Sequence, residues 1–120
     1  MHAIDIFPTL TKIAGIDKSQ YAAIDGISLL PVLADGMALD RDRMFCHFPR
    51  SQTLAGTVGG SFIREGDYKL IRLWYGGEEG KHAYELYDLS NDIGEQTNLV
   101  QSLPDKVDAM SQALDQWHPQ

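Results

Sequence analysis

Cysteine is nearly absent from this 120-residue chain. Cys46 stands alone, which excludes an internal disulfide and, with His2, His47, His82 and His118 scattered at no ligand-like spacing, a structural zinc site. Long apolar runs are missing as well: none approaches the ~20 residues that a membrane-spanning helix needs, so a membrane is not expected as partner. The N-terminus lacks the basic segment and apolar core of a signal peptide, and no address to a compartment is legible. Basic residues are few, 10 Lys and Arg against 17 Asp and Glu for a net charge of −7. They form no stripe that a phosphate backbone could follow, so nucleic acid is a poor partner. G-x-S-x-G, H-E-x-x-H, P-loop and G-x-G-x-x-G strings are all lacking, which removes the commonest catalytic and nucleotide-binding frameworks.

What is present is the composition of a soluble globular chain, 43% hydrophobic and 22% charged, at a length that supports one core. Ile6 to Ala14 reads as a helix, with Asp5 as its cap, Pro8 in the first turn and Gly15 as its stop. Ile6, Leu10 and Ile13 give it an apolar stripe that Phe7 and Ala14 widen, so the helix is expected to be mostly buried. Asp25-Gly26 is a turn, and Ser28 to Leu33 a short helical element that ends near Gly36. A charged connection leads to Met44–Pro49, a strand that Pro49 terminates. Ser51 to Gly60 reads as a flexible loop. Ser61–Arg64 and Tyr68–Tyr75 form a hairpin around Glu65-Gly66-Asp67, and Ala83–Leu89 follows as a fourth strand. The last helix begins near Pro104 and sets Val107, Met110, Leu114 and Trp117 at helical spacing. The fold class is therefore α+β: a small four-stranded antiparallel sheet packed against a C-terminal helix, preceded by a short N-terminal helical segment. The division falls between residues 1–36 and 37–120.

The candidates for chemistry are few. Cys46 and His47 are neighbours in a strand, so they point to opposite faces and cannot act as a nucleophile–base pair. Arg50 is four positions after Cys46, where a cysteine phosphatase loop needs six. Two readings of His47 stay open: a half-buried strand histidine, or a strand-end group facing a substrate beside the following loop. Trp74, with Tyr75, either stacks on a sugar ring or covers a sheet edge. Asp88, Asp92 and Glu95 do not match an EF-hand spacing, and Asn91 and Asp92 fit turn chemistry, in which such side chains bond their own backbone. The residues alone lead to an α+β domain without a catalytic set of its own.

Four blocks, in order, add a resemblance. They are Asp5-Ile6-Phe7-Pro8-Thr9-Leu10 with Ala14-Gly15; Asp25-Gly26-Ile27-Ser28-Leu29-Leu30-Pro31-Val32-Leu33; Phe62-Ile63-Arg64-Glu65-Gly66-Asp67-Tyr68-Lys69-Leu70-Ile71; and Tyr84-Glu85-Leu86-Tyr87-Asp88-Leu89 with Asp92, Glu95 and Asn98-Leu99. Together they resemble the C-terminal region of the type I, formylglycine-dependent sulfatases, within the alkaline-phosphatase-like superfamily, over about residues 3–117. Ile93 stands where the family commonly has proline. The family's Cys-x-Pro/Ala-Ser-x-Arg motif is absent, because Pro49 lies three positions after Cys46 rather than two.

The resemblance implies the end of the sulfatase main domain in residues 1–36, followed by the C-terminal subdomain. It also implies a chain inactive by itself, with a structural and substrate-cleft role. His47, Arg50 and Trp74 become the candidate substrate-binding residues, with no catalytic and no metal residue. No cofactor is expected in this chain, and calcium is expected in a full-length relative. The expected partners are the missing catalytic domain, a sulfated substrate and, through apolar surface on Phe7, Leu10, Leu29, Leu30 and Leu33, a second copy. The alternatives are a stand-alone carbohydrate-binding or interaction module, and an independent hydrolase, against which the missing nucleophile argues.

Overall fold

Gly66 organises the second half of the chain. It takes the first central position of a two-residue turn with φ 58°, a conformation that glycine alone adopts without strain. Around it β2 (Gly60–Glu65) pairs antiparallel with β3 (Tyr68–Leu73), Glu65 opposite Tyr68. β1 (Arg43–Phe48) and β4 (Ala83–Asp88) add on either side, giving the meander β1-β2-β3-β4. The computed structural model describes residues 2–48 and 59–117, in two compact units that divide between Asp40 and Arg41.

Directly opposed residues share a face of a sheet, so the register sorts the side chains of the second unit. One face carries the rows Phe45–Ile63–Leu70–Leu86 and His47–Ser61–Arg72–Tyr84; the other carries Cys46–Phe62–Ile71–Glu85. Helix α3 (Pro104–Trp117) lies on the first face, and Val107, Met110, Ala113 and Leu114 close a core with Ile63, Leu70 and Leu86. The last three are wholly buried, and each contributes roughly 1.5–3 kcal/mol of apolar transfer. Trp117 stacks on Phe45, ring centroids 4.9 Å apart, and so extends the same face.

The chain after β4 seals the sheet's edge. Asn98 Oδ1 accepts the backbone N–H of Leu86 at 3.1 Å, and Leu99 N–H donates to the Leu86 carbonyl at 2.8 Å. An edge strand's unpaired groups are thereby satisfied. The bend between them is built as its Asn and Asp content foretold: Asp88 accepts from Ser90 and Asn91, and Asp92 from the N–H groups of Gln96 and Thr97.

The first unit is made of α1 (Ile6–Ile13), α2 (Leu30–Asp35) and short 3-10 turns at Ala3–Asp5 and Lys18–Gln20. Here the structure overturns two expectations. Asp5 does not cap α1. Its buried carboxylate accepts the N–H of His2 at 2.8 Å and of Ile27 at 3.2 Å, tying the Asp25-Gly26 turn to the helix start. Nor is the apolar stripe of α1 buried: Ile6, Phe7, Leu10 and Ile13 are 52–61% exposed, while Pro8, Thr9 and Thr11 face inward. Thr9 Oγ1 accepts Leu29 N–H at 2.9 Å and donates to the Asp5 carbonyl, so the inside of this unit is held by polar bonds. Gly26 fits because a β-carbon there would lie 2.0 Å from the Ile4 carbonyl oxygen. Gly15, at φ 70°, ends α1 as expected, with Ile16 N–H returning to the Thr11 carbonyl.

Three smaller differences remain. Leu29, expected on the surface, is buried. The second hairpin strand stops at Leu73, because Tyr75 turns to φ 56°. Gly60, placed in a loop by its composition, begins β2.

Candidate functional site

The sheet end at which β1 stops, β2 starts, β3 stops and β4 starts gathers the ring-bearing candidates. His47 reaches it because β1 alternates: with Phe45 on the helix-covered face, His47 falls on that face one pair further along. Its Nδ1 lies 3.0 Å from Ser61 Oγ on β2. Trp74 shares the parity of Leu70 and Arg72, and its N–H donates to the Gly59 carbonyl at 2.9 Å, extending the ladder one step. The His47 and Trp74 rings meet at 4.6 Å, tilted by 47°. The structure thus brings together two of the three candidates read from sequence. Arg50 lies outside the described residues.

Sequence reasoning missed Ser61 and Arg72. Ser61 is buried beside His47 and looked like a mere strand start. Arg72 is buried on the helix-covered face, where it holds Asp115 at 2.7 Å and donates to the Ser111 carbonyl at 3.1 Å. Its parity with Leu70 was the available signal. A buried guanidinium bound to α3 in this way fixes the helix against the sheet behind the His47–Trp74 pair.

Other titratable groups are committed to structure. Burial pushes the Tyr87 phenol up, and its hydrogen bond to Glu85 adds to this. Hydrogen bonds from Ser90 and Asn91 hold the Asp88 carboxyl below the usual range. Glu95 pairs with Lys69 at 2.7 Å. Cys46 is half-buried on the face opposite His47, as strand alternation requires. In the first unit a cavity of about 360 Å³ is lined by Pro8, Lys12, Asp17, Tyr21 and Ile27 among others. Asp17 there is bound by the Ser19 hydroxyl and N–H, which lower its pKa and leave it unsuited to take a proton.

No group of three or more His, Cys, Asp or Glu side chains is placed to hold a metal ion among the described residues. Nor does any described helix have the length and apolar character to cross a membrane.

Comparison with known proteins defines what this arrangement is part of. Residues 1–118 match the family described as N-sulphoglucosamine sulphohydrolase, C-terminal. A sulfatase of Formosa agariphila is 34% identical over 109 residues, which covers 87% of this chain and 19% of that protein. Arylsulfatase K of Xenopus laevis is 28% identical over 92% of this chain and 21% of its own length. A structure solved in complex with its substrate, D-glucosamine-2-N,6-O-disulfate, is 26% identical and superposes with a TM-score of 0.72, over 93% of this chain and 22% of the other. The chain thus spans about a fifth of the length of the curated relatives it matches. With the family match running almost end to end, this chain belongs to the N-sulphoglucosamine sulphohydrolase C-terminal family and folds as a sulfatase C-terminal region.

Proposed function

We propose that this chain is the non-catalytic closing part of a sulfatase: its first unit anchors it on a catalytic domain, and its second unit offers His47 and Trp74 to the mouth of the substrate cleft. The observation that carries the reading is the inside-out helix α1. Four large apolar side chains, Ile6, Phe7, Leu10 and Ile13, point to solvent while threonines are buried. Monomeric proteins rarely leave a contiguous apolar stripe uncovered, and a relative about five times longer has ample chain for a domain that would cover it.

The pairing of His47 with Trp74 supports the second half of the proposal. An imidazole beside an indole, next to a buried hydroxyl, gives one hydrogen-bonding group and one stacking surface. That combination suits a sulfated amino sugar, the class of substrate bound in one structural relative. No sulfate ester cleavage is assigned to these residues: the chain contains no Cys-x-Pro/Ala-Ser-x-Arg motif to supply a formylglycine nucleophile.

Two measurements test this. The 120-residue chain is expected not to hydrolyse an aryl sulfate, and turnover above a His47→Ala, Cys46→Ala control would overturn the proposal. In a chimera where this chain replaces the matching last fifth of the Formosa sulfatase, His47→Ala is expected to raise KM by roughly tenfold with kcat little changed, the pattern of lost binding rather than lost chemistry. Unchanged KM would remove His47 from the cleft.

A further inference from the structure

The turn from β3 into β4 holds a second ring pair that neither the fold nor the His47–Trp74 pair uses. Tyr75 has φ 56°, a left-handed conformation that tyrosine rarely takes. Glycines follow at once, at Gly76 and Gly77, so the chain had the permissive residue one step away. The strained position instead carries a large aromatic residue, and Tyr75 is 74% exposed. The conformation is held by its own N–H, which donates to His82 Nδ1 at 3.3 Å, and the two rings lie 5.2 Å apart. With Nδ1 accepting that N–H, Nε2 is left as the ring's donor, at an exposed position.

We infer that Tyr75 and His82 form a carbohydrate subsite that takes an uncharged pyranose unit adjoining the sulfated sugar, stacking its C–H face on Tyr75 and receiving a hydrogen bond from His82. This rests on the proposed role of His47 and Trp74. Trp74 and Tyr75 are consecutive, so both ring pairs belong to the end of the sheet where β3 stops and β4 starts. The local charge selects the neutral sugar. Glu78 and Glu79 flank the turn, and Lys81, the one lysine there, is paired with Glu79 at 3.2 Å. An anionic group would meet two carboxylates against one engaged cation, whereas hydroxyl groups can donate to those carboxylates.

The test is a titration of the 120-residue chain with a neutral N-acetylglucosamine trisaccharide, read by side-chain NMR at Tyr75 and His82. Saturable shifts at both rings are expected, with an affinity that varies little with salt, since stacking rather than ion pairing holds the ligand. Tyr75→Gly removes the ring and relieves the backbone, so it is expected to weaken binding roughly tenfold without lowering Tm; Tyr75→Phe should keep most of the affinity. Binding by Tyr75→Gly equal to the wild type, or no shift at either ring at millimolar sugar, overturns the inference. So does a sulfated heparin tetrasaccharide that shifts Tyr75 and His82 where the neutral sugar does not. Failure here is separable from failure of the cleft role, because the KM effect of His47→Ala in the chimera is read at the other ring pair.

Discussion

The two units solve the problem of burial in opposite ways. In the second unit alternating strands and an amphipathic helix put Ile63, Leu70, Leu86 and Leu114 inside, with Arg72 the one charged side chain buried among the described residues of that unit. In the first, Asp5, Thr9 and Thr11 are inside and the large apolar residues of α1 are outside. An amphipathic helix turns its apolar face toward whatever it buries that face against. The contrast therefore separates a unit that carries its own apolar core from one whose helix leaves its apolar stripe exposed.

Truncating one buried and one exposed leucine breaks the comparison most sharply. Leu70→Ala should destabilise the second unit by about 2–5 kcal/mol, through lost transfer energy and a cavity. Leu10→Ala should change stability by no more than ~0.5 kcal/mol while weakening self-association of the chain, which the exposed stripe is expected to drive. Urea unfolding and sedimentation velocity read the two effects. A large loss of stability at Leu10 would mean that the stripe is already covered.

Next in size is the pin between α3 and the sheet. Asp115→Ala removes the carboxylate partner of a buried Arg72 and should cost about 1–3 kcal/mol, toward the lower end because Asp115 itself is largely exposed and solvent screens it. Hydrogen exchange is expected to rise first in α3. An effect confined to the first unit would contradict this assignment.

Asn98→Ala should cost about 1–2 kcal/mol by leaving the Leu86 N–H unpaired at the edge of β4. The expected sign is faster exchange of that single amide, with the Gly66 turn unaffected.

The smallest effect is common to both units and depends on pH. The carboxyls of Asp88 and Asp17 are held below their ordinary value by bonds from Ser90 with Asn91 and from Ser19, respectively. Lowered pKa values mean that these bonds contribute fully near neutrality and are lost as pH falls below the ordinary carboxylate range and through each group's own value. Amide shifts of Ser90 and Ser19 followed against pH should give midpoints below that range. Midpoints at or above it would show that the turns do not depend on ionised carboxylates.

The second unit was largely legible because its signals are local. Alternation fixed the strands, Gly66 fixed the hairpin, and Pro104 with Val107, Met110 and Leu114 fixed the helix and its buried face. The ladder from Ser90 to Leu99 was legible as turn chemistry for the same reason. The first unit misled because periodicity marks a stripe as apolar, and not whether the rest of the unit lies against it. Asp5 misled because a cap and a long-range anchor use the same carboxylate; only the approach of Ile27, 22 residues away, separates them. At the candidate site, His47 and Trp74 could be named, but their meeting could not, since it depends on the register between β1 and β3 through β2.

The order of residues by itself determined the elements, the α+β class, the sulfatase C-terminal resemblance and the absence of a formylglycine motif. These follow from spacing along the chain, where helix and strand periods act over a few residues. Only the tertiary structure decided that Arg72 is buried against α3, that the threonines of α1 face inward, and that two ring pairs share one end of the sheet. Those outcomes depend on contacts between segments distant in sequence, whose energies are set by which faces meet.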